Sequence, residues 1–459
     1  MNVARKRVWL VLPDPFPTRV FVDCGIVEML AERLSGRLHV VLALPREEAL
    51  EWVPRLGEVT WDLGADLFPE RVGAVERVGR RLDLALDRNV GYYPLSVRHS
   101  LRHGFNSERM RPGHPNIFLD SSRTGRLPES AALDRLVRTW LFSTHRHASS
   151  TLVARVRDDC SGLVVANVQS LQAVPYLNAA RRLGLPVVGY VASWDHTVGK
   201  GIVSPYVDRY VVQNEVMRDD LVWHHGIGGE RVVVTGWPQS DVFARKRPRA
   251  AYDALLAELG LDPSRTVVLV AGNTPTNAPH EGRFVDRLVA WSSALPPEER
   301  PQLLFRPHPR DREWRERFAS ALTAEDVAVQ EPSYSDLNLL ATLLQHVDCV
   351  VCNAGTILLD ALANDRPAVC VLYDEGAPEG DQRAALNVTG KHYEEVIASK
   401  AFARATDFDE VISGIERPLD QPDELADERR RVVSEVMGEV DGRAGERVVD
   451  AIVETVKSS

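Results

Sequence analysis

Short apolar runs recur along the chain with room for a helix between most neighbours, and this alternation constrains the fold more than any other feature. In the first half the runs cover residues 8–12, 38–44, 163–166, 187–191, 210–212 and 232–234. In the second half they cover 267–270, 303–305, 327–329, 349–352 and 368–372. Strands covered on both faces by crossover helices read as such runs, so the pattern predicts parallel βαβ units. At 459 residues the chain exceeds the size at which one core stops growing, which predicts more than one domain. The expected class is α/β, with two Rossmann-like domains facing a cleft. The first covers 1–240, a linker 241–262, and the second 263–423. A charged helical segment over 424–459 is expected to cross back to the first domain.

Composition narrows the function classes. The apolar fraction of 44% and charged fraction of 26% are those of an ordinary globular protein. A net charge of −10 argues against a non-specific nucleic-acid binder, which holds phosphates with basic residues. The apolar run at 8–12 is shorter than a signal-peptide core, and no run reaches the length that crosses a bilayer. Five cysteines, an odd number spread over a long chain, suit a reducing cytoplasm better than a disulfide framework.

Between about 91 and 126 the alternation fails, and His and Arg residues are interleaved with aromatics. This reads as an irregular insertion with a basic surface, which leaves peripheral contact with a membrane open. The prolines at 13, 15 and 17 read as a loop, followed by a helix over 23–34. That loop holds Asp14 where open α/β sheets bind ligands.

Two groups of loops carry the candidate chemistry. In the second half, three runs empty into Gly272-Asn273-Thr274-Pro275, Arg306-Pro307-His308-Pro309 and Asn353-Ala354-Gly355-Thr356. Strands of one parallel sheet deliver such loops to one edge. Gly355 lets backbone approach an anion, Thr356 is placed to cap the following helix or donate its hydroxyl, and the helix start favours phosphate. Arg306 offers a fork of donors to phosphate oxygens, and His308 can donate as well. Glu331 and Ser333, after the next run, are candidates for a ribose or base. In the first half, Trp194, Asp195, His196 and Lys200 follow the run at 187–191. A carboxylate or imidazole there can take a proton from an acceptor hydroxyl, Lys200 can assist, and Trp194 with Asp14 would form the acceptor side. Cys349 and Cys352 have metal-site spacing but lie on one strand, where residues three apart face opposite ways, so they read as buried thiols. His224 and His225 read as the last turn of a helix, and no residue is assigned to a metal.

In this order the motifs TGWPQSD (235–241), RPHPR (306–310) and NAGTILLDALANDRP (353–367) resemble the donor half of GT-B transferases. They are most similar to glycerophosphotransferases that use CDP-glycerol. That group carries a Gly-x-Pro-Arg-x-Asp turn, an Arg-x-His-Pro turn and a Ser/Thr-rich turn before a helix. Trp194-Asp195-His196 with Lys200-Gly201 stands at its Trp-His-Gly loop. Gln239 replaces the usual Arg, and Asn-Ala-Gly-Thr replaces an Asp-Tyr-Ser-Ser form. The Gly-Thr turn also resembles sugar-nucleotide glycosyltransferases and UDP-sugar epimerases.

The resemblance implies a cytoplasmic transferase, in places peripheral to the membrane, moving a group from a nucleoside-diphosphate donor to a hydroxyl acceptor. The acceptor would be a glycan, a lipid-linked chain or a small molecule, in cell-envelope glycan synthesis. A sugar is slightly favoured as the transferred group, with CDP-glycerol-type transfer as the alternative. An epimerase or hydrolase of a UDP-sugar and a non-catalytic nucleotide-sugar binder are the rivals. No cofactor is expected beyond the donor itself, and the need for a divalent ion stays open.

Overall fold

The computed structural model describes residues 6–67, 150–170, 172–199, 203–275, 277–333, 337–378, 381–384, 388 and 391–457. Among these, the residues up to Asp241 and those from Arg443 onward form one compact unit, and Val242–Gly442 forms another. The insertion expected at 91–126 and Lys200 lie outside the described residues.

The first unit is built on a seven-stranded sheet in the order β3-β2-β1-β4-β5-β6-β7. Its strands are β1 Arg7–Leu12, β2 Leu38–Leu42, β3 Thr60–Leu63, β4 Cys160–Val165, β5 Val187–Tyr190, β6 Arg209–Val212 and β7 Val232–Val234. Every pairing is parallel. The five residues of β2 and the four of β5 are all buried, as the apolar runs require. Gly189 in β5 has a packing reason, since a Cβ there would sit 3.0 Å from a Val168 methyl and 3.1 Å from one of Val207.

The proline-marked stretch after β1 is a helix, Pro15–Asp23, rather than the expected loop. Proline is favoured at the first helical position, where its missing N–H has no partner to lose. Gly25, at φ 76°, then turns the chain into a second helix, Ile26–Arg33, which is the helix expected over 23–34.

The C-terminal segment is likewise two helices, Ala426–Met437 and Ala444–Lys457, separated by Gly438 and Gly442 at positive φ. The last helix belongs to the first unit, as expected. Asp241, the last residue of the TGWPQSD motif and part of the helix Pro238–Ala244, receives it: the two carboxylate oxygens accept the N–H groups of Ala444 (3.0 Å) and Gly445 (2.6 Å). A carboxylate at a helix start satisfies orphan donors and complements the dipole. Arg447 Nε adds a bond to the Thr235 carbonyl at 2.6 Å.

The second unit repeats the plan with six parallel strands in the order β10-β9-β8-β11-β12-β13. These are β8 Val267–Ala271, β9 Gln302–Arg306, β10 Val327–Val329, β11 Cys349–Asn353, β12 Ala368–Val371 and β13 Ala403–Ala405. Residues 241–262 are mostly helical, in Pro238–Ala244 and Arg249–Glu258, with Tyr252 and Leu256 buried. All five cysteines are free and buried. Burial pushes the Cys349 and Cys370 thiols up to about 12 and raises Cys352 well above its usual range, so none is a thiolate at neutral pH. No helix among the described residues is long and apolar enough to cross a membrane.

Candidate functional site

In each sheet the strand order reverses direction at one place, and in open α/β sheets ligands bind beyond the carboxyl ends of the strands there. In the second unit that place lies between β8 and β11. The loop from Gly272 leaves β8 and the Asn353–Thr356 turn leaves β11, so two of the three expected loops meet at the reversal. Gly272, His280, Glu281, Asn353, Tyr373 and Asp374 line a pocket there. The third loop leaves β9, next to β8 on the other side.

Each loop has a local reason for its shape. Asn353 spends its amide Nδ2 on the Val371 carbonyl at 3.1 Å, tying the ends of β11 and β12 together. Gly355 is the N-cap of the helix Thr356–Ala363, and no side chain caps that helix. Thr356 is therefore its first residue rather than its cap. Gly355 is extended at φ −172°, and a Cβ there would meet nothing closer than the Asn353 carbonyl at 3.9 Å. Its lack of a side chain is thus not required by this chain's own packing.

In the β8 loop, Asn273 Oδ1 accepts the Thr274 N–H at 2.7 Å, and the Asn273 N–H reaches Glu281 Oε1 at 2.8 Å. Arg306, the last residue of β9, is buried at 7% exposure, and its carbonyl accepts the Gly272 N–H at 2.9 Å. His308 Nδ1 accepts the Arg310 N–H at 3.0 Å, which leaves the proton of a neutral ring on Nε2.

Beneath these loops lies a buried ionic cluster that the sequence did not reveal. Arg317 donates to the carbonyls of Asn273 (3.2 Å) and Ala278 (2.7 Å), to Glu281 Oε2 (2.9 Å) and to Asp311. It therefore joins the β8 loop to the β9 loop. Two carboxylates share one guanidinium here. Burial dominates and pushes Glu281 up to about 8, with Arg317 pulling the other way. Nearby, His280 Nε2 contacts Asp381 at 2.7 Å, and that bond holds the Asp381 carboxyl below its usual range.

Other expected residues fall elsewhere. Glu331 follows the edge strand β10, and its exposed side chain pairs with Arg315. Ser333 is in the same loop. In the pocket wall itself, Asp374 is buried with Oδ2 accepting the backbone N–H groups of Arg383 and Ala384, and Glu375 pairs with Arg287 at 2.8 Å, so both anchor their loop. Among the described residues no group of three His, Cys, Asp or Glu is placed to hold a metal.

In the first unit the reversal lies between β1 and β4. Asp14, after β1, accepts a bond from Asn167 Nδ2, after β4, at 2.8 Å. Trp194, Asp195 and His196 follow β5, next to β4. Trp194 is buried, while Asp195 and His196 are half-buried. From the helix Pro15–Asp23, the buried Arg19 donates to Gln239 Oε1 at 3.0 Å.

The sequence profile described as CDP-Glycerol:Poly(glycerophosphate) glycerophosphotransferase matches residues 202–454. No curated protein sequence matches. Among solved structures, UDP-GlcNAc 2-epimerase from Neisseria meningitidis bound to UDP-GlcNAc has a TM-score of 0.58 at 12% identity, covering 98% of this chain and 100% of that one. The epimerase from Methanocaldococcus jannaschii has a TM-score of 0.53 at 11% identity, covering 98% and 99%. The wall teichoic acid polymerase TagF has a TM-score of 0.51 at 12% identity, covering 100% and 90%. These likenesses establish the fold, two Rossmann-like units of the GT-B class. The profile match extends over more than half of the sequence, and the chain belongs to the CDP-glycerol:poly(glycerophosphate) glycerophosphotransferase family of nucleotide-activated group transferases.

Proposed function

We propose that the protein transfers glycerol phosphate from a CDP-activated donor to a hydroxyl on a polymeric acceptor. The observation that carries this reading is the family match over 202–454, which takes in all three loops of the second sheet. The sugar donor, slightly favoured on sequence alone, gives way to it. The acceptor oxygen attacks the phosphorus that bears the glycerol. A new P–O bond forms, the bond to the cytidine phosphate breaks, and CMP leaves. Asp195 or His196 takes the acceptor proton. Charge on the departing phosphate is met by Arg306, His308 and the uncapped helix start at Gly355.

The test is turnover of CDP-glycerol by the purified protein with an oligomeric glycerophosphate acceptor. CMP and a lengthened acceptor are expected in equal amounts, with Asp195→Asn or His196→Gln lowering the rate at least a hundredfold. Conversion of UDP-GlcNAc without any acceptor would instead favour the epimerase reading, and no conversion of any donor would end the transferase proposal.

A further inference from the structure

The segment after β5 is held by the helix Glu215–His225 through two buried side chains. His225 is 4% exposed and touches both ends of residues 197–203. Its Nδ1 accepts the Val203 N–H at 3.1 Å, and its Nε2 lies 2.7 Å from the Thr197 carbonyl. A carbonyl only accepts and an amide N–H only donates, so the ring is neutral with its proton on Nε2. Asp220 takes a third grip, accepting the hydroxyl of the fully buried Thr197 at 2.8 Å. A fourth comes from outside the helix, where Gln169 Nε2 donates to the His196 carbonyl at 3.0 Å. Four bonds thus converge on 196, 197 and 203; one of the anchored residues is His196 itself, and another, Thr197, directly follows it.

We propose that Asp220 and His225 are positioning residues that fix the backbone bearing Asp195 and His196 for proton transfer. This rests on the reading that one of those two takes the acceptor proton. A side chain buried only for packing would not need to match a donor at one end of the segment and an acceptor at the other. Both matches, together with the Asp220 bond to Thr197, set the direction in which Asp195 and His196 leave the strand. Small misplacements of a reacting group lower rates by about a hundredfold.

The experiment compares Thr197→Val, His225→Asn, His225→Gln and His225→Ala with wild type at a temperature where circular dichroism shows every variant native. Asn retains the acceptor toward Val203 and Gln retains the donor toward Thr197, so each keeps one of the two bonds. Expected are kcat losses of tenfold or more for Thr197→Val and His225→Ala, with intermediate losses for the other two. The KM for CDP-glycerol should stay within twofold, and the pH–rate profile should shift. Arg218→Ala, on the exposed side of the same helix, should match wild type. If kcat stays within twofold while only the melting temperature falls, the two residues are structural and the proposal is wrong. If wild type does not turn over CDP-glycerol, the functional reading fails on its own. Hydrogen exchange then decides the clamp, since the Val203 amide must be protected in wild type and lose at least tenfold protection in His225→Ala. An unprotected Val203 amide overturns it.

Discussion

Replacing Arg317 with Met should destabilise the second unit more than any other single change near the donor loops. The guanidinium is 10% exposed and bonds to Glu281, Asp311 and two loop carbonyls. Removing one member of a buried ion pair costs about 3–5 kcal/mol, because the partner charge stays buried. Two lost bonds to carbonyls add about 1 kcal/mol each, less whatever the loop recovers from water. The sum is about 5–7 kcal/mol before that recovery, a large part of the roughly 5–15 kcal/mol that stabilises a typical domain.

The loss should also depend on pH. Glu281, at about 8 in the folded protein, binds a proton that the unfolded chain releases above its usual value near 4.5. Its contribution is fully present below about 4.5 and fades as pH rises through about 8. Without Arg317, which pulls against the burial of Glu281, that carboxyl holds its proton more firmly still, so the penalty should be smaller at pH 6 than at pH 9. Urea unfolding followed by tryptophan fluorescence at both pH values measures this, with a separate transition fitted for each unit. A loss under about 1 kcal/mol, or one equal at both pH values, would refute the buried-cluster reasoning.

Arg306→Ala and His308→Ala should each weaken CDP-glycerol binding about tenfold to a hundredfold, the worth of a hydrogen bond to a charged group, and leave acceptor KM unchanged. Calorimetry with unaltered donor affinity would remove both residues from the site. Gly355→Ala should fold with an unchanged melting temperature, since its Cβ has 3.9 Å of clearance and the backbone is extended. A drop in donor affinity in that variant reports a ligand contact, and wild-type affinity would place the phosphate elsewhere. Asp241→Ala should cost about 1–2 kcal/mol by uncapping the last helix, read as a lower urea midpoint for the first unit.

Much of the fold was legible because buried parallel strands declare themselves as apolar runs; 232–234 and 327–329 match β7 and β10 residue for residue. The strands that left no such signal are β3 and β13. Each lies at a sheet edge, and their exposed or half-buried positions interrupt the apolar pattern. Pro15 misled because proline breaks a helix interior but suits its start, and the local sequence does not say which applies. The phosphate-type turns were visible because strand, glycine and helix are neighbours in sequence. The Arg317 cluster was not, because its members come from separate loops. The role of His225 was hidden for the same reason, since its partner Thr197 lies 28 residues away. Asp241 illustrates the limit: it stood out as part of a motif, but its partner at Ala444 is 203 residues distant.

The central claim is transfer of a phosphoryl group bearing glycerol, and phosphorus NMR of the reaction mixture tests it most directly. With CDP-glycerol and a glycerophosphate acceptor, the two diphosphate resonances of the donor should disappear together. A CMP monoester and a new phosphodiester should replace them in equal amounts. Glycosyl-type transfer would instead leave an intact nucleoside diphosphate as the product. Diphosphate resonances that persist from a nucleotide-sugar donor, with CDP-glycerol untouched, would contradict the account.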